Sequence, residues 1–284
     1  MIKPKTCKKC GNQMLWISWS SLRTHSECKQ KGHLHRQKKR ASLNDVRNFF
    51  PGTITDRVVR DWLEDDPTEK QGAMPSMVDA VMEREEQNIA EGRGVLKWRD
   101  ATDKARVREE CITAVTKIEP VLNKFVVPFD YKADYSFKVP MAVPHPAGGT
   151  EKILLTGFMD IYVQDHDGNY WVFDVKHTKD NGYWRKTRGQ LTFYDLAVFI
   201  EQGKQTKGTA LFQPLCSEPV KGFRISEESK SQMIGRISEM AWDIWSEDHT
   251  PRSDTSMCGF CDVKHACSKF KPTMSKGKRL APML

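Results

Sequence analysis

Two runs of strand-forming residues meet at an Asp-Gly turn, and their pairing constrains this chain more than any other feature. Residues 154–163 read as one strand, His166-Asp167-Gly168-Asn169 as the turn, and residues 170–176 as the returning strand. The turn is dictated by glycine, which supplies the positive φ that a tight hairpin needs. Antiparallel partners sit equidistant from the turn centre, so Asp160 is expected opposite Asp174. Alternation sets Asp174 and Lys176 on one face and Trp171, Phe173 and Val175 on the other, with Leu155, Met159 and Ile161 as their expected companions. One face is then core, and the other carries two carboxylates and an ammonium. Such a group can hold a divalent metal beside an activated water. The competing reading is a solvated sheet face on which Lys176 merely pairs with an aspartate.

The helical stretch after the hairpin favours the metal site. Gln190 and Tyr194 lie four apart in it and so share a face. A carboxylate, then Asp-x-Lys, then Gln-x-x-x-Tyr on the next helix is a compound pattern that chance rarely assembles.

Gly157-Phe158-Met159-Asp160, Asp174-Val175-Lys176 and Gln190-Leu191-Thr192-Phe193-Tyr194 together resemble the RecB-type branch of the PD-(D/E)xK nucleases, as found among CRISPR-associated and phage enzymes. Upstream, Trp19-Ser20-Ser21-Leu22-Arg23-Thr24-His25-Ser26-Glu27-Cys28 is similar to the opening helix of that branch, and Gly52-Thr53-Ile54-Thr55-Asp56 to its Gly-Thr-x-x-His segment. Lys29 stands where the family usually has proline, and Asp56 where it has a histidine that often ligands metal. An aspartate also coordinates hard cations, which makes Asp56 a candidate third ligand. The resemblance runs from about Trp19 to Cys267. It implies an α/β fold with a restriction-endonuclease-like core, a mixed sheet flanked by helices.

Cys258-Gly259-Phe260-Cys261 and Cys267 crowd the C-terminal end. Metal ligation needs several thiolates on one centre, and a CxxC turn delivers two. Many relatives hold an iron–sulfur cluster with one N-terminal and three C-terminal cysteines, which implies Cys28, Cys258, Cys261 and Cys267 as ligands of a 4Fe–4S cluster clamping the chain ends together. Four thiolates equally suit zinc. Disulfides are the weaker reading, since nothing suggests secretion. Cys7 and Cys10 form a second CxxC, half of a zinc site with His25, His33 and His35 nearby; its alternative is a solvated knuckle with free thiols. Cys111 and Cys216 read as ordinary buried thiols.

The formal net charge of +8 and a pI near 9.0 suit a polyanionic partner such as DNA. Basic residues cluster at 29–40, at Arg185, Lys186 and Arg188, and at 269–279. The middle group lies beside the carboxylates and is the best placed for phosphate contacts. Tyr183 and Trp184 could stack on an unpaired base or cover a helix N-terminus, and the second is the commoner use. No apolar run reaches the ~20 residues of a membrane helix, and no apolar leader stands at the N-terminus, so a cytoplasmic protein with reduced thiols is expected.

Periodicity divides the chain into an N-terminal CxxC knuckle (1–18), a helical region (19–130), a nuclease-like core (131–250) and a cysteine-rich segment with a basic tail (251–284). Helices are expected over 20–40, 54–63, 77–87, 103–123, 184–201 and 226–245, the last capped by Ser226; strands over 131–143 and 209–215 join the hairpin. The resemblance implies a DNA exonuclease dependent on Mg2+ or Mn2+, working in recombination, repair or phage-type DNA processing. Asp160, Asp174, the Val175 carbonyl and Asp56 would be metal ligands; Lys176 would orient the water and stabilise phosphate charge; Gln190 and Tyr194 would support the site. A structure-specific endonuclease on the same core, and a non-enzymatic DNA-binding module stabilised by metal, are the alternatives.

Overall fold

The computed structural model describes residues 5–6, 13–38, 46–65, 72–93, 95–145, 147–251, 258 and 261–269. Cys7 and Cys10, with most of the basic C-terminal tail, lie outside the described residues. Two short strands open the chain, β1 (Lys5–Thr6) and β2 (Gln13–Ile17). Helices α1 (Trp19–Glu27), α2 (Lys29–Arg36), α3 (Phe50–Glu64), α4 (Met74–Asn88) and α5 (Asp103–Phe125) follow. Then come β3 (Asp130–Pro144), β4 (Thr150–Gln164), β5 (Tyr170–Val175), α6 (Trp184–Gln202), β6 (Thr206–Phe212), β7 (Val220–Phe223) and α7 (Glu227–Trp245).

The strands form one mixed sheet in the order β1-β2-β4-β5-β6-β7, with β3 antiparallel along the whole of β4. β2 runs parallel to β4 and β6 parallel to β5, while the β4–β5 and β6–β7 pairs are antiparallel. Helices cover both faces. On one, Phe50, Ile54, Val58 and Trp62 of α3, with α4 and α5, pack on Ile161, Val163, Phe173, Val175 and Phe212. On the other, Phe193, Leu196 and Ala197 of α6 and Met233, Ile237 and Met240 of α7 pack on Phe137, Val139, Leu155, Met159 and Val172. The expected α/β layering is therefore what the chain adopts.

This double covering corrects the expectation of one core face and one open face. Trp171, Phe173 and Val175 do pack with Ile161 against the α3–α5 side, but Leu155 and Met159 turn toward α6 and α7. The switch falls between Met159 and Ile161, at Asp160. Since β3 occupies one edge of β4 throughout, β2 and β5 share the other: β2 pairs as far as Leu155, and β5 begins pairing at Ile161. Residues 156–160 span the gap between those two partners, and the strand is free there to change which face it presents.

Element ends differ from the periodicity in interpretable ways. α3 and α4 start earlier than expected because Pro51 and Pro75 sit in their first turns, where a missing N–H costs nothing. The helical stretch expected over 20–40 is broken at Cys28, whose backbone is extended (φ −166°, ψ 120°). β6 ends at Phe212 rather than Leu215, and β2 and β7 are additional strands, too short to show a period. Ser226 caps α7 as expected, its hydroxyl accepting from the Ser229 N–H at 3.2 Å.

Candidate active site

The hairpin register holds. Ile161 pairs with Phe173 and Tyr162 with Val172, so Asp160 falls opposite Asp174 at the next position. There the backbone ladder gives way to a side chain: the Val175 N–H donates to Asp160 Oδ2 at 2.8 Å. Asp174, on the strand face that looks toward α6, has no exposed surface. Gln190 of α6 donates from Nε2 to Asp174 Oδ1 at 3.0 Å and to the Tyr194 hydroxyl at 2.8 Å, which is the contact that their four-residue spacing promised.

Lys176 closes the group. Its Nζ lies 2.8 Å from Asp174 Oδ2 and 3.7 Å from Asp160 Oδ2, and donates to the Val175 carbonyl at 3.2 Å. Two carboxylates and one carbonyl, the three oxygen donors expected to ligand a metal from the hairpin, thus converge on one cation, the lysine's own ammonium. Hard oxygen donors of this kind suit Mg2+ or Mn2+.

The electrostatics show a shortage of positive charge. Burial pushes the Asp174 pKa up, and Asp160 and Asp56 push it further, while Lys176 only partly offsets them. Asp56, on α3, faces the same cleft; burial of its carboxyl and then the charge of Asp160 raise its pKa too. Burial works to lower the Lys176 pKa, but Asp174 and Asp160 outweigh it and hold the ammonium charged. Burial, then the neighbouring Asp174 and Asp160 charges, raises the Tyr194 pKa. A divalent ion would relieve this crowding, so the residues present fit one. Among the described residues, no three His, Cys, Asp or Glu side chains are gathered into a single ion-holding set. The fit therefore rests on Asp160, Asp174 and the Val175 carbonyl.

A second group, not anticipated from the sequence, ties the site to its helices. His177 has its Nε2 2.8 Å from Glu110 Oε1 on α5 and its Nδ1 2.8 Å from the Thr55 hydroxyl on α3. Thr55 precedes Asp56, and His177 comes directly after Lys176, so this imidazole fixes the distance between α3 and the hairpin. Its only sequence signal was adjacency to the Asp-x-Lys motif.

The site opens into a cleft of about 740 Å³ lined by Asp56, Asp160, Val175 and Lys176 at one end and by Phe49, Arg99 and Arg106 at the other. Arg185, Lys186 and Arg188 are carried on the first two turns of α6 but are not among the lining residues. Trp184 packs against Phe223, with ring centroids 5.9 Å apart.

The family comparison decides the kinship. A model of the PD-(D/E)XK nuclease superfamily matches residues 17–268. The chain belongs to that superfamily. Among solved structures, it is similar to one named "Putative exonuclease" from Eubacterium rectale, with 11% identity over 92% of this chain and 91% of that one and a TM-score of 0.51. The structure named SSO0001 is 12% identical over 68% of this chain and 81% of its own, with a TM-score of 0.35. No curated protein matches the chain.

The cysteines are a separate matter. Cys28, Cys258, Cys261 and Cys267 are all partly exposed, and the Cys261 N–H donates to the Cys258 carbonyl at 3.2 Å. The segment docks on α2, where His35 Nε2 lies 2.8 Å from Asp262. These contacts bring the helix that Cys28 opens against the turn that carries Cys261. Cys111 and Cys216 are buried, as expected. No helix among the described residues is long and apolar enough to cross a membrane.

Proposed function

We propose that this chain is a metal-dependent DNA exonuclease. The observation that carries the reading is the convergence of Asp174, Asp160 and the Val175 carbonyl on the Lys176 ammonium, with Gln190 fixing the second Asp174 oxygen. A Mg2+ or Mn2+ ion bound by the two aspartates and the Val175 carbonyl would polarise a phosphate oxygen and lower the pKa of a bound water. Lys176, held protonated, stabilises the negative charge that gathers on the phosphate as the water oxygen attacks phosphorus and the P–O bond breaks. Gln190 keeps Asp174 in one rotamer, and Tyr194 keeps Gln190 in place. Asp56 completes the acidic end of the cleft as a candidate third ligand, and Arg185, Lys186 and Arg188 offer charge at the start of α6 for flanking phosphates.

The exonuclease reading is supported by the likeness to the Eubacterium rectale structure and by its name. The test is digestion of end-labelled linear DNA beside a closed circle of the same sequence, with Mg2+, with Mn2+ and with chelator. Linear DNA should shorten from an end only when metal is present, and the circle should persist. A circle cut as fast as the linear form would make the enzyme an endonuclease. Binding without cleavage of either would leave a DNA-binding module.

The 4Fe–4S cluster, with zinc as its alternative, is part of the same proposal. Its support is the four-cysteine pattern and the docking of the Cys261 turn on α2 through His35 and Asp262. The described cysteines are not drawn into one ion-holding set, so this assignment rests on motif and proximity. The CxxC of Cys7 and Cys10 is kept as a candidate zinc site on motif alone.

A further inference from the structure

At the far end of the cleft, Phe49 exposes 71% of its surface while the next residue, Phe50, is buried against Trp98. Phe49 stands at the start of α3 and provides no capping hydrogen bond there. Burial of such a ring would stabilise the fold, and the protein forgoes that. Phe49, Thr53 and Asp56 fall on one face of α3, at positions i, i+4 and i+7, and all three line the cleft. The helical rise puts Phe49 about 10 Å from Asp56 along the axis, on the order of three stacked-base steps.

Beside it, Arg99 donates from Nη2 to Asn48 Oδ1 at 2.7 Å; its backbone N–H reaches Asp103 Oδ2 at 3.0 Å, but its guanidinium pairs with no carboxylate among the described residues. Its neighbours differ: Arg47 and Arg106 both bind the buried Asp103 carboxylate. The cleft therefore offers an open aromatic face and a guanidinium that no carboxylate neutralises. A base has a π-face for the first and a phosphate for the second. Bases inside a duplex are stacked on both faces and present none to Phe49.

The geometry points to a strand-gripping subsite, in which Phe49 stacks on an unpaired base and Arg99 takes a neighbouring phosphate, so that the cleft selects single-stranded or frayed ends. This rests on the nuclease reading for its purpose but not for its test.

Binding is measured in chelator, without turnover, by fluorescence anisotropy on a labelled oligothymidine and on a blunt duplex. Phe49→Ala should weaken oligothymidine binding about tenfold, the loss of one base–aromatic stack, and leave duplex binding within about twofold. Phe49→Trp should restore it. Arg99→Gln should weaken both ligands and reduce the salt slope by about one. Phe49→Ala binding oligothymidine as tightly as the wild type, or losing both ligands equally, would overturn the subsite. If the wild type grips single strands through Phe49 yet cuts nothing with metal, the nuclease reading falls and the subsite stands. If it cuts and Phe49→Ala binds unchanged, the reverse holds.

Discussion

Lys176 is largely buried, yet the carboxylates around it keep it charged, so its chemistry is that of a cation and not of a base. Its pairing with Asp160 and Asp174 was legible in the sequence because these partners lie within one hairpin. The Glu110–His177–Thr55 chain was not, because it joins residues 67 and 122 positions apart with no spacing to betray them. The same holds for Asp103, which the sequence shows only as a helix start. It is buried between Arg47 and Arg106, and the Arg47 guanidinium holds its pKa well below the usual carboxylate range. A carboxylate depressed in the folded state contributes stability that is complete above its unfolded pKa, about 3.9, and is lost as pH falls below that value. The contribution of Asp103 to the melting temperature should therefore be constant near neutrality and fall away below about pH 4. Asp103→Asn should melt lower than the wild type at pH 7, and the gap should narrow as pH approaches about 3. A gap that stays constant over that range would show that Asp103 does not drive the acid loss.

At the scale of elements, periodicity found the hairpin, α3 to α7 and β3, since each is long enough for a repeat to show. It could not find the change of face at Asp160, because period-2 patterns assume that one strand keeps one pairing partner per edge. β4 exchanges β2 for β5 at that point, and Gly157 lies in the gap. A Cβ on Gly157 would come within 2.7 Å of Phe137 Cζ. That ring is 1% exposed and packed edge-on against Tyr194, with centroids 5.9 Å apart. The same Cβ would meet Tyr194 Cε1 at 3.6 Å, so the strain bears on both rings, and Tyr194 holds Gln190. Gly157→Ala should therefore destabilise the fold by about 1–3 kcal/mol, as overpacking does, and also lower the cleavage rate at temperatures where the protein remains folded. Thermal melts beside single-turnover cleavage check this; a variant that melts lower but cleaves as the wild type would separate Phe137 from the site.

Across the whole molecule, the net charge of +8 and the nuclease family match agree on a nucleic acid as the polyanion. The distribution of that charge was only partly legible. The basic cluster at 185–188 was singled out from sequence, while the cleft itself is lined by Arg99 and Arg106, which look ordinary in a polar stretch. At this scale too belongs the tie between α2 and the C-terminal cysteines. Anaerobically purified protein should carry about four irons per chain; Cys28→Ala and Cys261→Ala should each lose them and melt lower, and the Cys7→Ser, Cys10→Ser double variant should keep them. Elemental analysis giving zinc without iron would make the site a zinc clamp, and iron lost only in the double variant would move the ligand from Cys28 to the N-terminal CxxC. Neither result touches the hairpin, on which the nuclease assignment turns. The direct measurement there is the metal-dependent rate of digestion of end-labelled linear DNA by the wild type, Asp174→Ala and Lys176→Ala, each shown by thermal melting to be folded. Both variants should be slower by at least ~100–1,000-fold, the scale of one lost electrostatic group at a reacting centre. Cleavage by either folded variant at close to the wild-type rate would contradict the assignment of this hairpin as the active site.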